Sequence, residues 1–190
     1  MRKLIINIIN RYFKMSNYKV KLHNIKAFAY DVDGVFTDGG VMATESGDLI
    51  RVFDSKDGFG VRLTVLKGYK NAIITGGSSE SIRKRFKGLG IEDTDIYLKS
   101  RDKVPDFLDF CKRHNLEPSQ VAYVGDDLPD IPILQICGLA VCPADAVQEV
   151  KAVCDYVSLY NGGKGCVRDL VEQVLKIHND WVFDPVAYSG

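Results

Sequence analysis

Six short apolar runs, at residues 25–31, 70–75, 94–98, 120–125, 138–142 and 154–157, alternate with segments long enough to be helices. Runs of this length, separated by stretches of helical spacing, predict βαβ units. Right-handed crossovers then make the strands parallel. Helix signals fill the gaps. Asp57 opens a helix that reaches about Lys67 and ends at Gly68; Ser78 and Ser79 open a second, closed near Gly88 or Gly90; Asp102 opens a third, with Pro105 tolerated in its first turn. Residues 166–177 present Val167, Leu170, Val171, Val174 and Leu175 on one face, a pattern that belongs against a core. The predicted class is α/β, a parallel sheet sandwiched by helices.

One segment breaks the rhythm. Between the first strand and the first helix, GVMATESGDLIRVFD reads as two short strands joined by the turn Glu45-Ser46-Gly47-Asp48, an inserted β-hairpin over 38–54. It is too short to be a cap domain. Only 27 residues lie between Thr75 and Lys103, so that connection holds no lid either. The expected organisation is an N-terminal extension over 1–23, one domain over 24–178 and a tail over 179–190. The tail, with Trp181, Phe183 and Tyr188, either docks on its own domain or reaches a partner.

Composition narrows the class. A chain of 190 residues can bury a full core without staples. Lys plus Arg and Asp plus Glu are 25 each, so no net field favours nucleic acid or a membrane surface. The five cysteines, Cys111, Cys137, Cys142, Cys154 and Cys166, are odd in number and contain no CxxC pair, which reads as a reduced, cytoplasmic protein. His23, His114 and His178 are scattered without zinc-ligand spacing. The basic and apolar start MRKLIINIINRYFKM is interrupted by Asn7, Asn10 and Arg11 and makes a poor signal peptide. No run approaches the roughly 18 apolar residues that span a bilayer.

The chemistry is read at the strand ends. In an open α/β fold the C-terminal ends of the strands share one edge, where ligands bind. The first end supplies Asp31 and Asp33 within DVDGVFTDGG, the second Thr75-Gly76-Gly77, and the fourth Asp126, Asp127 and Asp130 within GDDLPD. An Asp-x-Asp pair in a turn is by itself an ordinary solvated loop. The calcium-loop template is missed, since Val35 stands fifth and Gly34 comes two places early. What raises these residues to a candidate site is the meeting of carboxylates, a hydroxyl and glycine amides at one edge. Asp31, Asp126 and a phosphate ester would crowd negative charge that a low-dielectric site holds only with cations. Magnesium, which favours oxygen ligands, meets that need with Asp31, the backbone carbonyl of Asp33 and Asp126. Lys103 adds the remaining positive charge.

In order, Asp31-Val-Asp33-Gly, Ile-Ile-Thr75-Gly, Lys103 and Gly-Asp126-Asp127-x-x-Asp130 resemble the four motifs of the haloacid dehalogenase superfamily, over nearly the whole chain from about residue 24. Within it, DVDGVFTDGG, DSKDGFGV, VAYVGDDLPD and NGGKGCVRDL are similar to the capless branch that dephosphorylates 3-deoxy-D-manno-octulosonate 8-phosphate (KDO 8-phosphate). The resemblance implies a Rossmann-like fold and a set of roles. Asp31 attacks phosphorus to form an aspartyl-phosphate, and Asp33 protonates the leaving alkoxide and later takes a proton from water. Thr75 and the Gly76 amide hold phosphoryl oxygens, and Lys103 stabilises developing charge. Asp126 binds magnesium, with Asp127 and Asp130 orienting the ligands. Gly76, Arg85 and Lys56 are the implied substrate-binding residues. Arg85 is either an exposed helical charge or reaches a neighbouring subunit's site to meet the sugar-acid carboxylate. A homotetramer joined through the hairpins, and a place in lipopolysaccharide biosynthesis, follow from the same likeness.

Asp33 separates phosphatase from dehalogenase, because expelling halide needs no proton donor. A phosphomutase needs a closing lid that this chain lacks. The sugar is less determined: relatives of this branch commonly carry Arg where this chain has Gly77, and those acting on KDN 9-phosphate tend to have Glu there and Lys at the position of Gly88. Another 2-keto sugar-acid phosphate such as KDN 9-phosphate is therefore an alternative substrate. An alternative of another class is a non-catalytic phospho-accepting regulatory domain. A response-regulator receiver places its aspartate at the third strand's end, however, where this chain has Tyr97 and Leu98.

Overall fold

The computed structural model describes residues 18–181, so most of the N-terminal extension, and Phe183 and Tyr188 of the tail, lie outside the described residues. The strands are β1 (Ala27–Tyr30), β2 (Met42–Ala43), β3 (Leu49–Ile50), β4 (Lys70–Ile74), β5 (Ile96–Tyr97), β6 (Val121–Val124), β7 (Leu139–Cys142) and β8 (Tyr156–Val157). The helices are α1 (Ser55–Leu66), α2 (Glu80–Gly88), α3 (Lys103–Arg113), α4 (Ile131–Leu134), α5 (Gln148–Val153) and α6 (Cys166–Ile177). Six strands form one all-parallel sheet in the order β5-β4-β1-β6-β7-β8. All six predicted strands are in it. β2 and β3 pair antiparallel as the expected hairpin.

The buried strands show why short apolar runs suffice here. β1 is covered on both faces: Ala27 and Ala29 point into one core with Phe107, Phe110 and Tyr123, while Phe28 and Tyr30 point into the other with Phe36, Phe86 and Leu170. The small residues of β1 share a core with α3, and its aromatic side shares the other with α1, α2 and α6. Each fully buried Phe or Leu contributes about 1.5–3 kcal/mol by removal of apolar area from water.

Two helices start where their capping residues predict. Ser79 accepts from the Ser81 amide ahead of α2, and Asp102 from the Val104 amide ahead of α3. The first helix is a correction. It begins at Ser55, capped by Asp54, which accepts from the amides of Lys56 and Asp57. Asp57 instead turns inward, fully buried, and accepts from the backbone amides of Gly165 (3.0 Å) and Arg168 (2.8 Å) at the start of α6. The described beginning of the tail docks on its own domain: Trp181 packs on the aromatic core, with the Arg168 guanidinium 4.6 Å from its ring centre.

Chain order places β1 centrally: β4 and β5 extend the sheet on one side of it, β6 to β8 on the other. The reversal of direction falls at β1, so the loops leaving β1, β4 and β6 diverge and leave a crevice above their C-terminal ends.

Candidate active site

The register pairs Tyr30 with both Ile73 and Val124, so Asp31 sits one step past the ladder, between Thr75 and the GDD loop. Its amide donates to the Val124 carbonyl at 3.0 Å, which fixes the backbone as it leaves the sheet. Gly34 is then required twice. It has φ +79°, and any Cβ there would collide with the carboxylate of Asp126. The crevice, of about 440 Å³, is lined by Asp31, Asp33, Thr75, Gly76, Lys103 and Asp126, among others. Asp127 also borders it. The residues read from three separate strand ends and a helix start are thus brought together.

Below them lies a charge cluster. The Lys103 ammonium, only 5 % exposed, is 2.9 Å from Asp31 Oδ2 and 2.7 Å from Asp130 Oδ1. Burial alone would lower its pKa, but the two carboxylates outweigh that and hold it above its usual value. Asp130, fully buried, has all its capacity used: Oδ1 accepts from Lys103 and from the Tyr123 hydroxyl, and Oδ2 from the amides of Asp126 and Asp127. It braces the loop. Burial first, and then the charge of Asp130, push the Asp31 carboxyl up to about 6 against the opposing pull of Lys103. Burial, Asp31, Asp130 and Asp127 together push Asp126 up to about 8.

These are the signs of an anionic site built around a cation. Ligand atoms of Asp31, Asp126 and Asp130 lie within 4.8 Å of one another. Asp126 Oδ1 is buried and has no hydrogen-bond partner in the protein. A buried carboxylate oxygen left unpaired beside other carboxylates is costly, and a hard divalent ion with oxygen ligands removes that cost. With Asp130 consumed by four donors, Asp31 and Asp126 are the carboxylates free to bind it. The donor set fits magnesium.

Thr75 is positioned for donation. Its Oγ1 accepts the Gly77 amide at 3.1 Å, which leaves the hydroxyl proton free for the crevice. Asp33 has a partner that sequence reasoning missed. Arg51, from the strand end of the hairpin, donates Nε to Asp33 Oδ1 at 2.6 Å and Nη2 to Oδ2 at 2.9 Å. Arg101 at the rim was also missed. Its only sequence signal was a cation two places before Lys103. Arg85 and Lys56 do not line the crevice of their own chain. Lys56 is an exposed residue in the first turn of α1, and the Arg85 guanidinium stands 5.9 Å from the Phe53 ring centre.

Comparison with known proteins agrees with this geometry. Residues 78–170 match a family model described as haloacid dehalogenase-like hydrolase. The 3-deoxy-D-manno-octulosonate 8-phosphate phosphatase of Escherichia coli is 36% identical over 155 residues, covering 82% of this chain and 81% of that protein. The chain belongs to the haloacid dehalogenase-like hydrolases. The Haemophilus influenzae enzyme of the same name is 35% identical over 156 residues, covering 82% of this chain and 86% of that protein. Among solved structures, the same phosphatase from Moraxella catarrhalis, in complex with magnesium, phosphate and KDO, superposes with a TM-score of 0.84 at 35% identity, covering 88% of this chain and 95% of that one. A parallel six-stranded sheet between helices is the architecture the chain shares with these members of the family.

Proposed function

We propose that this chain is a magnesium-dependent phosphatase that hydrolyses 3-deoxy-D-manno-octulosonate 8-phosphate to KDO and phosphate. The observation that carries the reading is the convergence of Asp31, Asp33, Thr75, Lys103 and Asp126 on one crevice, in a chain 36% identical to a phosphatase of that name. When bound, magnesium neutralises the anionic pocket and polarises a phosphoryl oxygen. Asp31 and Asp126 would hold it, with the Asp33 backbone carbonyl.

The residues then divide the work. Asp31, held by Lys103 at 2.9 Å, attacks phosphorus in line and becomes an aspartyl-phosphate while the P–O bond to the sugar breaks. Asp33 gives its proton to the departing alkoxide, then accepts one from the water that cleaves the acyl-phosphate and releases inorganic phosphate. The Thr75 hydroxyl and the Gly76 amide hold non-bridging oxygens, and Lys103 balances charge as the phosphoryl group transfers. Asp127 and Asp130 hold the loop that carries Asp126. Gly76 belongs to the substrate-binding set; Arg85 joins it only across a subunit boundary, and Lys56 stands outside the crevice of its own chain.

Assembly follows from the open crevice. Among the described residues no helix is long and apolar enough to cross a membrane, and the free cysteine thiols support a place in the reducing cytoplasm; the homotetramer is proposed on the likeness to the octulosonate phosphatases. The domain over 24–178 acts as the catalytic unit, with the hairpin over 38–54 serving subunit contacts. The test is phosphate release, with magnesium present, from KDO 8-phosphate, KDN 9-phosphate and common hexose phosphates. KDO 8-phosphate is expected to turn over fastest. Equal rates on all three would reduce the protein to a general phosphatase.

A further inference from the structure

We infer that Arg51 is a positioning residue for the acid and base function of Asp33, so that the inserted hairpin takes part in the chemistry; the inference rests on the reading of Asp33 given above. Three observations carry it. The guanidinium engages both oxygens of Asp33, at 2.6 and 2.9 Å, in the forked geometry that fixes a carboxylate's plane as well as its place. The Arg51 side chain is only 3% exposed while that of Asp33 is 33% exposed, so the arginine is buried behind the aspartate and the carboxylate faces the crevice. The arginine is itself fixed, since Nη1 donates to the Leu49 carbonyl at 3.3 Å and the following Phe53 packs edge-on against buried Phe86.

Glycine at 77 is part of the same arrangement. A Cβ there would press on Ile82 Cδ1 at 2.8 Å and make ordinary contact with Arg51 Nη2 at 3.5 Å, so the guanidinium reaching from the hairpin borders the turn that carries Gly77 without filling it. Lys103 cannot substitute for it, being committed to Asp31 and Asp130. Arg51 is therefore the cation that orients Asp33 towards the leaving oxygen. During turnover the protonated carboxyl keeps one guanidinium contact through its carbonyl oxygen and offers its hydroxyl to the alkoxide. No bond to Arg51 forms or breaks.

The leaving group separates this role from plain binding. A sugar alkoxide needs the proton from Asp33, whereas p-nitrophenolate leaves without one, and kcat/KM reports steps only through leaving-group release. Arg51→Met should lower kcat/KM on the sugar-acid phosphate by about 10- to 100-fold, as loss of orientation does, and change it on p-nitrophenyl phosphate by less than about threefold. Arg51→Lys should recover part of the loss. In an Asp33→Asn background, Arg51→Met should have no further effect. Equal losses on both substrates from Arg51→Met, or an undiminished loss in the Asp33→Asn background, would overturn the inference. Should Asp33→Asn itself cost both substrates equally, the assignment of Asp33 would fail instead. Thermal melts of each variant exclude misfolding as the cause.

Discussion

The residues of the crevice are held in a state the protein alone cannot neutralise. Burial and neighbouring charge hold Asp31 up to about 6 and Asp126 up to about 8, against an ordinary carboxylate value near 4. A carboxyl whose folded value is raised binds its proton more tightly in the folded state. Its contribution to stability is thus full below the unfolded value and is lost as pH rises through the folded one. Without metal, the protein should therefore lose stability between about pH 4 and pH 8, as these two groups are forced to ionise. Magnesium supplies the missing positive charge only once they have ionised. The rise in melting temperature on adding magnesium should be small at about pH 5 and largest at about pH 8 to 9, and stripping the ion with chelator at the upper pH should reverse it. A magnesium shift that is the same at both ends of that range would mean that the ion binds elsewhere.

At the level of elements, what the chain spells out locally was legible and what it pairs at a distance was not. Short apolar runs with flanking turns located all six sheet strands, and Ser79 and Asp102 marked their helices because a cap acts within three residues. The strand-end carboxylates could be grouped because parallel topology sends those ends to one edge. Asp57 was misread, since an acidic residue at a helix start looks like a cap whatever it does. Its partners, Gly165 and Arg168, are 108 and 111 positions away. Arg51 was missed for the same reason, as nothing in the hairpin's pattern points to a carboxylate 18 residues earlier. Asp57 in fact ties α1 to α6 by taking up two amides at the α6 N-terminus. Asp57→Ala should cost on the order of 2–3 kcal/mol in urea unfolding, the penalty for leaving buried donors unpaired. Asp57→Asn, which keeps an acceptor, should cost clearly less. Equal losses from both would show that the charge, and not the acceptor, holds the junction.

For the molecule as a whole, the hairpin is the feature that a lone chain leaves unexplained. Two strands of two residues each are too little to be stable by themselves, yet they expose Val41, Met42, Leu49, Ile50 and Val52, the last at 82%. Such a patch on a short, unsupported ribbon is more than the scattered apolar exposure of an ordinary surface. The proposed tetramer answers both difficulties, for hairpins associating around a symmetry axis bury the patch and brace the ribbon. It also gives the crevice walls that the capless chain does not supply. Light scattering should find a tetramer for the intact protein, and Met42→Glu combined with Ile50→Glu should shift it to smaller species, since burying unpaired carboxylates at the junction is prohibitive. If the hairpin also holds Arg51 against Asp33, the dissociated variant should lose activity on the sugar-acid phosphate more than on p-nitrophenyl phosphate. A fully active monomer would show instead that one chain completes the site unaided, and that Arg85 has no role across a subunit boundary.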